Sequence, residues 1–228
     1  MKVLRVVILC CITYCSSALL KAQDAPLVMA KHLTWSVLYD YGHMNPLAVW
    51  YILDESDFRG SISTKPKYFK MDTRLPKPRR NDKTFRKLGF QRGHLCPAGD
   101  RDSRKDWLKD TYYTSNVLLM TPECNQGAWR DIELLCRRLA VFGHRLFIAC
   151  GPVYSRPTGV SNTIHESNIA AAVWKIAECV IHPDEKICWI VPNGNAWLNE
   201  KDCRVTLDSL SRSVPVNLLD HYELWKRQ

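Results

Sequence analysis

The sequence predicts a mixed α+β fold in which a central antiparallel sheet carries helices on its flanks, and three observations lead there. Between residues 33 and 53, aromatic and aliphatic side chains (Trp35, Val37, Tyr39, Tyr41, then Leu47, Val49, Trp50, Ile52) alternate as two strands joined around Gly42 to Pro46 would require. Residues 145–153 read as a buried strand, and residues 173–181 with 186–191 as a hairpin. Between these groups, the segment 126–142 repeats its apolar positions at Trp129, Ile132, Cys136 and Leu139, the period of a helix, and Gly143 supplies its C-terminal stop. A chain of 228 residues with no internal repeat and no low-complexity tract suits one domain with one sizeable core.

In chain order, Lys2 and Arg5 precede an apolar run from Val6 to Ile12, and small residues follow at Ser16, Ser17, Ala18 and Ala22. This pattern predicts a secretory signal peptide over residues 1–22, a domain over residues 23–228, and a periplasmic or extracellular location. The apolar run is shorter than the roughly twenty residues of a spanning helix, so no stable membrane insertion is expected. Net charge is +9; the leader holds three of the positive charges (Lys2, Arg5, Lys21) and no acid, so the remainder keeps +6, a balance that favours a polyanionic partner. Residues 65–87 carry ten basic side chains against Asp72 and Asp82, interleaved with Tyr68, Phe69 and Phe85 and broken by Pro66, Pro76 and Pro78. This is predicted as a loop whose Lys77, Arg79, Arg80 and Lys83 track nucleic-acid phosphates whatever the bases are; the plainer alternative is a solvated basic loop. Residues 85–96 are predicted as a strand ending at His94, with Pro97 closing the pairing. A polar connection follows, then an apolar strand over residues 112–120 that contains Asn116; residues 207–210 and 218–225 look helical and cover the sheet.

Seven cysteines lie beyond the leader (Cys96, Cys124, Cys136, Cys150, Cys179, Cys188, Cys203), an odd number, so at least one thiol is unpaired within the chain. Cys179 and Cys188 flank the hairpin turn and are expected nearly opposite one another, either bridged or facing as buried thiols. No Cys-x-x-Cys pair, Gly-rich phosphate loop, serine nucleophile elbow or His-x-x-x-His pair is present, which removes zinc-ribbon, thioredoxin-like, NTPase, serine-hydrolase and zinc-protease readings.

The residues that carry chemistry gather between Gly89 and Arg137. The run Gln91-Arg92-Gly93-His94 sets a permanent cation beside a side chain whose ordinary pKa of about 6.5 lets it take a proton at neutral pH, a pairing suited to phosphodiester chemistry. Further on, Asn125, Glu133 and Arg137 stand at intervals of eight and four, placing a carboxamide, a carboxylate and a guanidinium along a helix. Taken alone, Asn125 also reads as that helix's N-cap, and Glu133 with Arg137 as a surface ion pair.

Arg92-Gly93-His94 followed by Pro97, Ser115-Asn116, and Asn125 with Trp129 and Glu133 together resemble the signature of the DNA/RNA non-specific endonucleases of the ββα-metal superfamily, which includes secreted bacterial nucleases and mitochondrial endonuclease G. Weaker resemblance reaches Trp50-Tyr51, the run from Ile148 to Pro152, and Val173-Trp174-Lys175, while Gln91 stands where the family usually has Asp. The resemblance implies a ββα-metal nuclease fold and hydrolysis of DNA and RNA with one Mg²⁺ ion, or Mn²⁺ or another divalent cation. It implies His94 as general base, Asn125 as the direct protein ligand of the metal, and Glu133 on a metal-bound water. Arg92 and Arg137 would stabilise charge, and Asn116 would line the pocket. The loss of the usual Asp at Gln91 motivates an alternative, a catalytically weakened nucleic-acid-binding protein of the same fold.

Overall fold

In the computed structural model, residues 27–60, 62, 68–78, 80, 89–154, 169–215 and 218–226 are described. Nine strands are present among them: β1 (Leu27–Lys31), β2 (Ser36–Asp40), β3 (Asn45–Leu53), β4 (Gln91–His94), β5 (Val117–Met120), β6 (Leu146–Val153), β7 (Ala172–Cys179), β8 (Lys186–Pro192) and β9 (Arg204–Val205). Seven of them form an antiparallel sheet in the order β1-β2-β3-β6-β7-β8-β9, and β4 and β5 make a separate two-stranded ribbon. The helices are α1 (Lys105–Asp110), α2 (Pro122–Gln126), α3 (Ala128–Val141), α4 (Leu207–Ser213) and α5 (Tyr222–Trp225).

Strand alternation divides the core into two layers. Val49, Tyr51, Ile148, Cys150, Val173, Ala177, Trp189 and Val191 turn to one face, where α3 and the β4–β5 ribbon pack through Trp129, Ile132, Cys136, Leu118 and Met120. Trp50, Phe147, Trp174, Ile176 and Cys188 turn to the other, where Leu210, Tyr222 and Trp225 cover them, with Trp50 and Trp225 stacked at a centroid distance of 4.7 Å. The first face carries the candidate site, and the second anchors it.

Several boundaries differ from the sequence expectation for physical reasons. The helix expected over residues 126–142 is two: Gly127 adopts φ −94°, ψ −120° between α2 and α3, and a Cβ there would stand 2.4 Å from the Glu123 carbonyl oxygen. Asn125 is therefore not the N-cap of the long helix; it lies inside α2, whose cap is Thr121, accepting from the Cys124 N–H at 3.2 Å, with Pro122 following it. The strand that contains His94 runs from Gln91 to His94, with Gly89 turning the chain at φ +72° just before it, and residues 85–88 of the expected strand lie outside the described residues. Asn116 sits in a 3₁₀ turn (Thr114–Asn116), not within the strand that follows. β1 and α1 were not legible in the sequence. Gly143, at φ +88°, does stop α3 as expected.

Cys188 lies opposite Ile176, and the two layers place it on the α4–α5 side, whereas Cys179, in step with Val173 and Ala177, is on the α3 side. They neither face one another nor bridge, and all seven described cysteines are buried free thiols.

A buried charge cluster ties the start of the sheet to the rest. His32, at the end of β1, stacks on Trp35 at 3.6 Å; its Nε2 meets Asp72 Oδ2 at 2.9 Å and its Nδ1 meets Asp110 Oδ1 at 3.3 Å. Asp72 is 1% exposed and also accepts from Ser115 Oγ at 2.6 Å and from the Arg74 N–H at 3.0 Å. Burial opposes ionisation of Asp72, but hydrogen bonds from His32 and Ser115 prevail and hold its carboxyl below the usual range. With its folded-state pKa below the unfolded one, Asp72 contributes stability that is present above the unfolded value and lost as pH falls through the folded one. Replacing Asp72 by Ala leaves His32 without this partner in a dry site and should cost about 3–5 kcal/mol in urea unfolding at neutral pH, a difference that should shrink on acidification.

Candidate active site

Along β4, Gln91 pairs with Met120 and meets Asn125 of α2, while Arg92 and His94 pack on Phe69. The His94 imidazole packs against Phe69 and Tyr112, each at a centroid distance of 5.0 Å, and the Arg92 guanidinium lies 5.1 Å from the Phe69 ring. Phe69 belongs to the basic segment, and the next residue is fastened in place: the Lys70 N–H donates to Tyr112 O at 2.8 Å and Lys70 O accepts from the Thr114 N–H at 2.9 Å. Residues 69 and 70 of the basic segment are thus fastened beside His94.

Asn125 Nδ2 donates to Gln91 Oε1 at 2.8 Å. That bond fixes the orientation of the Asn125 carboxamide and leaves its oxygen as the end available to a ligand. The helix carrying it is pinned by β8's exit: Asn193 Oδ1 accepts from the Thr121 N–H at 2.8 Å, and Thr121 Oγ1 donates to Gly194 O at 2.7 Å.

Trp129 connects His94 to the central sheet. Its indole N–H donates to His94 O at 3.0 Å, and its ring lies 4.0 Å from Lys175 Nζ, on β7. Lys175 is 1% exposed and its ammonium makes no hydrogen bond among the described residues; the Trp129 face and the charges nearby compensate it. Those charges come from α3 and the turn after β4. Arg137 Nη1 donates to Asp100 Oδ1 at 2.6 Å, and Asp100, fully buried, also accepts from the Tyr51 hydroxyl at 3.1 Å. Glu133 has its pKa pushed up to about 7, mainly by burial, with Lys175 and Arg137 opposing the rise and Asp100 adding to it.

The sequence-derived residues therefore divide. Gln91 and Asn125 meet directly, Glu133 and Arg137 share one electrostatic cluster, and Arg92 and His94 share the Phe69 face. Asn116 does not line an open pocket: it is 0% exposed, its oxygen accepts from the Cys96 N–H at 2.8 Å, and its amide donates to Cys96 O and Thr111 O at 2.8 and 2.9 Å. It braces the chain just after His94. Arg80 is corrected as a phosphate contact: it is 5% exposed, donates to Met44 O at 3.1 Å and to Asn45 Oδ1, and burial lowers its pKa to about 10. Lys77 is exposed, while Arg79 and Lys83 lie outside the described residues. Asp100 was missed as the partner of Arg137 because the two lie 37 positions apart, beyond any local pattern; Lys175 was legible only through the resemblance at Trp174-Lys175.

The Glu133 environment makes a testable statement about the metal-free protein. Because its folded-state pKa, about 7, lies above the ordinary 4.5, the protonated carboxyl's contribution is complete below about 4.5 and is lost as pH rises through about 7. Glu133→Gln should accordingly gain on the parent by on the order of 1–3 kcal/mol between pH 5 and pH 8 in chelator-containing buffer, measured by denaturant unfolding.

Comparison with known proteins follows the same geometry. The family model described as DNA/RNA non-specific endonuclease matches residues 22–222. The chain is 30% identical over 116 residues to the mitochondrial nuclease EXOG of Danio rerio, covering 50% of this chain and 34% of that protein. It is 34% identical over 70 residues to human mitochondrial endonuclease G, covering 31% of this chain and 24% of that protein. With the mitochondrial nuclease of Saccharomyces cerevisiae it shares 25% identity over 204 residues, covering 79% and 62% of the two chains. The chain thus spans about a third of the length of the EXOG relative. Among solved structures, a chain from the crystal structure of the EndoG/EndoGI complex superposes with a TM-score of 0.68 at 21% identity, covering 81% of this chain and 82% of that one. The β4–β5 ribbon followed by α2 and α3 is the ββα unit of that fold, and the chain belongs to the DNA/RNA non-specific endonuclease family.

Proposed function

We propose that this protein is a metal-dependent, sugar-non-specific endonuclease that hydrolyses phosphodiester bonds of DNA and RNA. The observation that carries the reading is the Gln91–Asn125 hydrogen bond, which orients the Asn125 carboxamide so that its neutral oxygen is available to a ligand. This donor fits a hard divalent ion such as Mg²⁺, which keeps most of its waters and takes one or two protein oxygens. A cation held by Asn125 would supply positive charge to the scissile phosphate and the leaving 3′ oxygen. Mg²⁺ is the expected ion, with Mn²⁺ as a substitute.

The chain's own residues do the remainder. His94, its ring wedged between Phe69 and Tyr112 and its carbonyl held by Trp129, accepts a proton from the attacking water at a ring nitrogen. Arg92 and Arg137 add positive charge to the phosphate; Arg137 is oriented by its bond to Asp100, which keeps one nitrogen occupied and the fork in place. Glu133, in its ionised form, accepts hydrogen bonds from water in the site. Exposed Lys77, with Arg79 and Lys83, binds phosphates without reading bases.

Gln91 supports activity over the binding-only alternative, because its amide oxygen takes the Asn125 N–H as an Asp carboxylate would. An amide can also turn to donate, and then it would occupy the Asn125 oxygen; a carboxylate cannot. Export to the periplasm or the extracellular space belongs to the same proposal, supported by the leader-like composition of residues 1–22; detection of the protein only inside intact cells would remove it.

Purified protein should degrade supercoiled plasmid and RNA in Mg²⁺ and stop in excess chelator; undiminished cleavage in chelator would refute the metal requirement. Under the same assay His94→Ala should lower turnover by about 10²–10⁴ while leaving DNA binding in place.

A Mg²⁺ titration distinguishes the role of position 91. Gln91→Asp, which can only accept, should reach half-maximal rate at lower Mg²⁺ than the parent, and Gln91→Leu, which cannot accept, at higher Mg²⁺. Coincident curves for all three would mean that the Asn125 orientation does not depend on this bond.

A further inference from the structure

At the end of the sheet remote from the ribbon, three side chains of metal-ligating type converge. His144 follows the Gly143 turn that ends α3, Cys179 ends β7, and Glu185 closes the β7–β8 turn; one ligand atom of each lies within 4.8 Å of the others. His144 Nδ1 stands 3.8 Å from Cys179 Sγ. A tetrahedral zinc ion with Zn–N of about 2.0–2.1 Å and Zn–S of about 2.3 Å separates its nitrogen and sulfur ligands by about 3.6 Å, so this pair is already close to ligand spacing. Main-chain bonds hold the segments in register: the Cys179 N–H donates to Glu185 O at 3.0 Å, and the Val180 N–H donates to Arg145 O at 2.8 Å. Cys179 is 3% exposed and Glu185 is exposed, so the thiol is fixed within the protein while the carboxylate is free to close on an ion from solvent.

We infer that His144, Cys179 and Glu185 form a three-ligand zinc(II) site distinct from the nuclease centre. Cys179 lies four residues beyond Lys175 along β7, about 13 Å at the rise of a strand, and none of the three residues takes part in the catalytic arrangement. The donor set selects the metal: a thiolate and an imidazole favour zinc over Mg²⁺ or Ca²⁺. Binding exchanges the thiol proton for the ion, with no redox change; one thiolate and one carboxylate neutralise the dication, His144 stays neutral, and water completes the tetrahedron. The ion would join the exit of α3, which carries Glu133 and Arg137, to the β7–β8 hairpin, and so stabilise the folded chain in proportion to its affinity.

The test uses the purified full chain, stripped with chelator. Zinc titrated against a chromophoric chelator should bind at one tight equivalent and raise the melting temperature, and cobalt(II) should give a thiolate-to-cobalt charge-transfer band with tetrahedral visible bands. Cys179→Ser, a near-isosteric change, should lose the band, the tight equivalent and the zinc-dependent rise in melting temperature, while its metal-free melting temperature and its nuclease activity in Mg²⁺ match the parent. Glu185→Ala should weaken zinc binding and keep the band. Asn125→Ala should keep both, which separates this site from the catalytic one. The inference is overturned by a parent without the cobalt–thiolate band, by a band that survives Cys179→Ser or disappears in Asn125→Ala, or by zinc affinity unchanged in Glu185→Ala.

Discussion

The site depends on one indole. Trp129 is fully buried on the first turn of α3, donates its N–H to the His94 carbonyl, and offers its face to the Lys175 ammonium on the central sheet. Helix, ribbon and sheet thus meet on a single rigid side chain. A tryptophan suits this position because its large apolar area is worth burying and its one polar atom still needs an acceptor. The strand-end carbonyl of His94 supplies that acceptor where ladder pairing stops.

Around this joint the protein concentrates charge in a cluster that runs from fully buried Lys175 and Asp100 to half-buried Glu133 and Arg137. Lys175, Asp100, Arg137 and Glu133 come from β7, the turn after β4, and α3, and each is tolerable only because the others are present. The arrangement fixes Arg137 firmly through Asp100 and leaves Glu133 with a carboxyl near the balance between its two protonation states. The His32–Asp72–Asp110 cluster uses the same logic for architecture alone, holding the basic segment and the first strand against the turn that contains Ser115.

The basic segment shows how burial reassigns residues of one composition. Phe69 packs on His94 and Asp72 is an internal anchor, while Arg80 is sealed under Met44 and Asn45, and its carbonyl accepts from Thr114 Oγ1 at 2.8 Å. Lys70, Arg74 and Lys77, from the same run, stay exposed. Charge density reports how many cations a stretch holds; their depth follows from contacts with residues 35 positions away.

The sequence by itself determined the α+β class, β2, β3, β6, the β7–β8 hairpin, the stop at Gly143, and the family to which the chain belongs. These are set by period-two and 3.6-residue patterns and by a compact motif, all of which are local. Only the tertiary structure decided that Asn125 orients on Gln91 instead of capping the long helix, because the break at Gly127 arises from close approach to the Glu123 carbonyl. It likewise decided that Asn116 braces Cys96, that Asp100 holds Arg137, and that Cys179 meets His144 and not Cys188. Each of these depends on which face of an element a side chain takes and on partners distant in the chain, and a linear pattern carries neither.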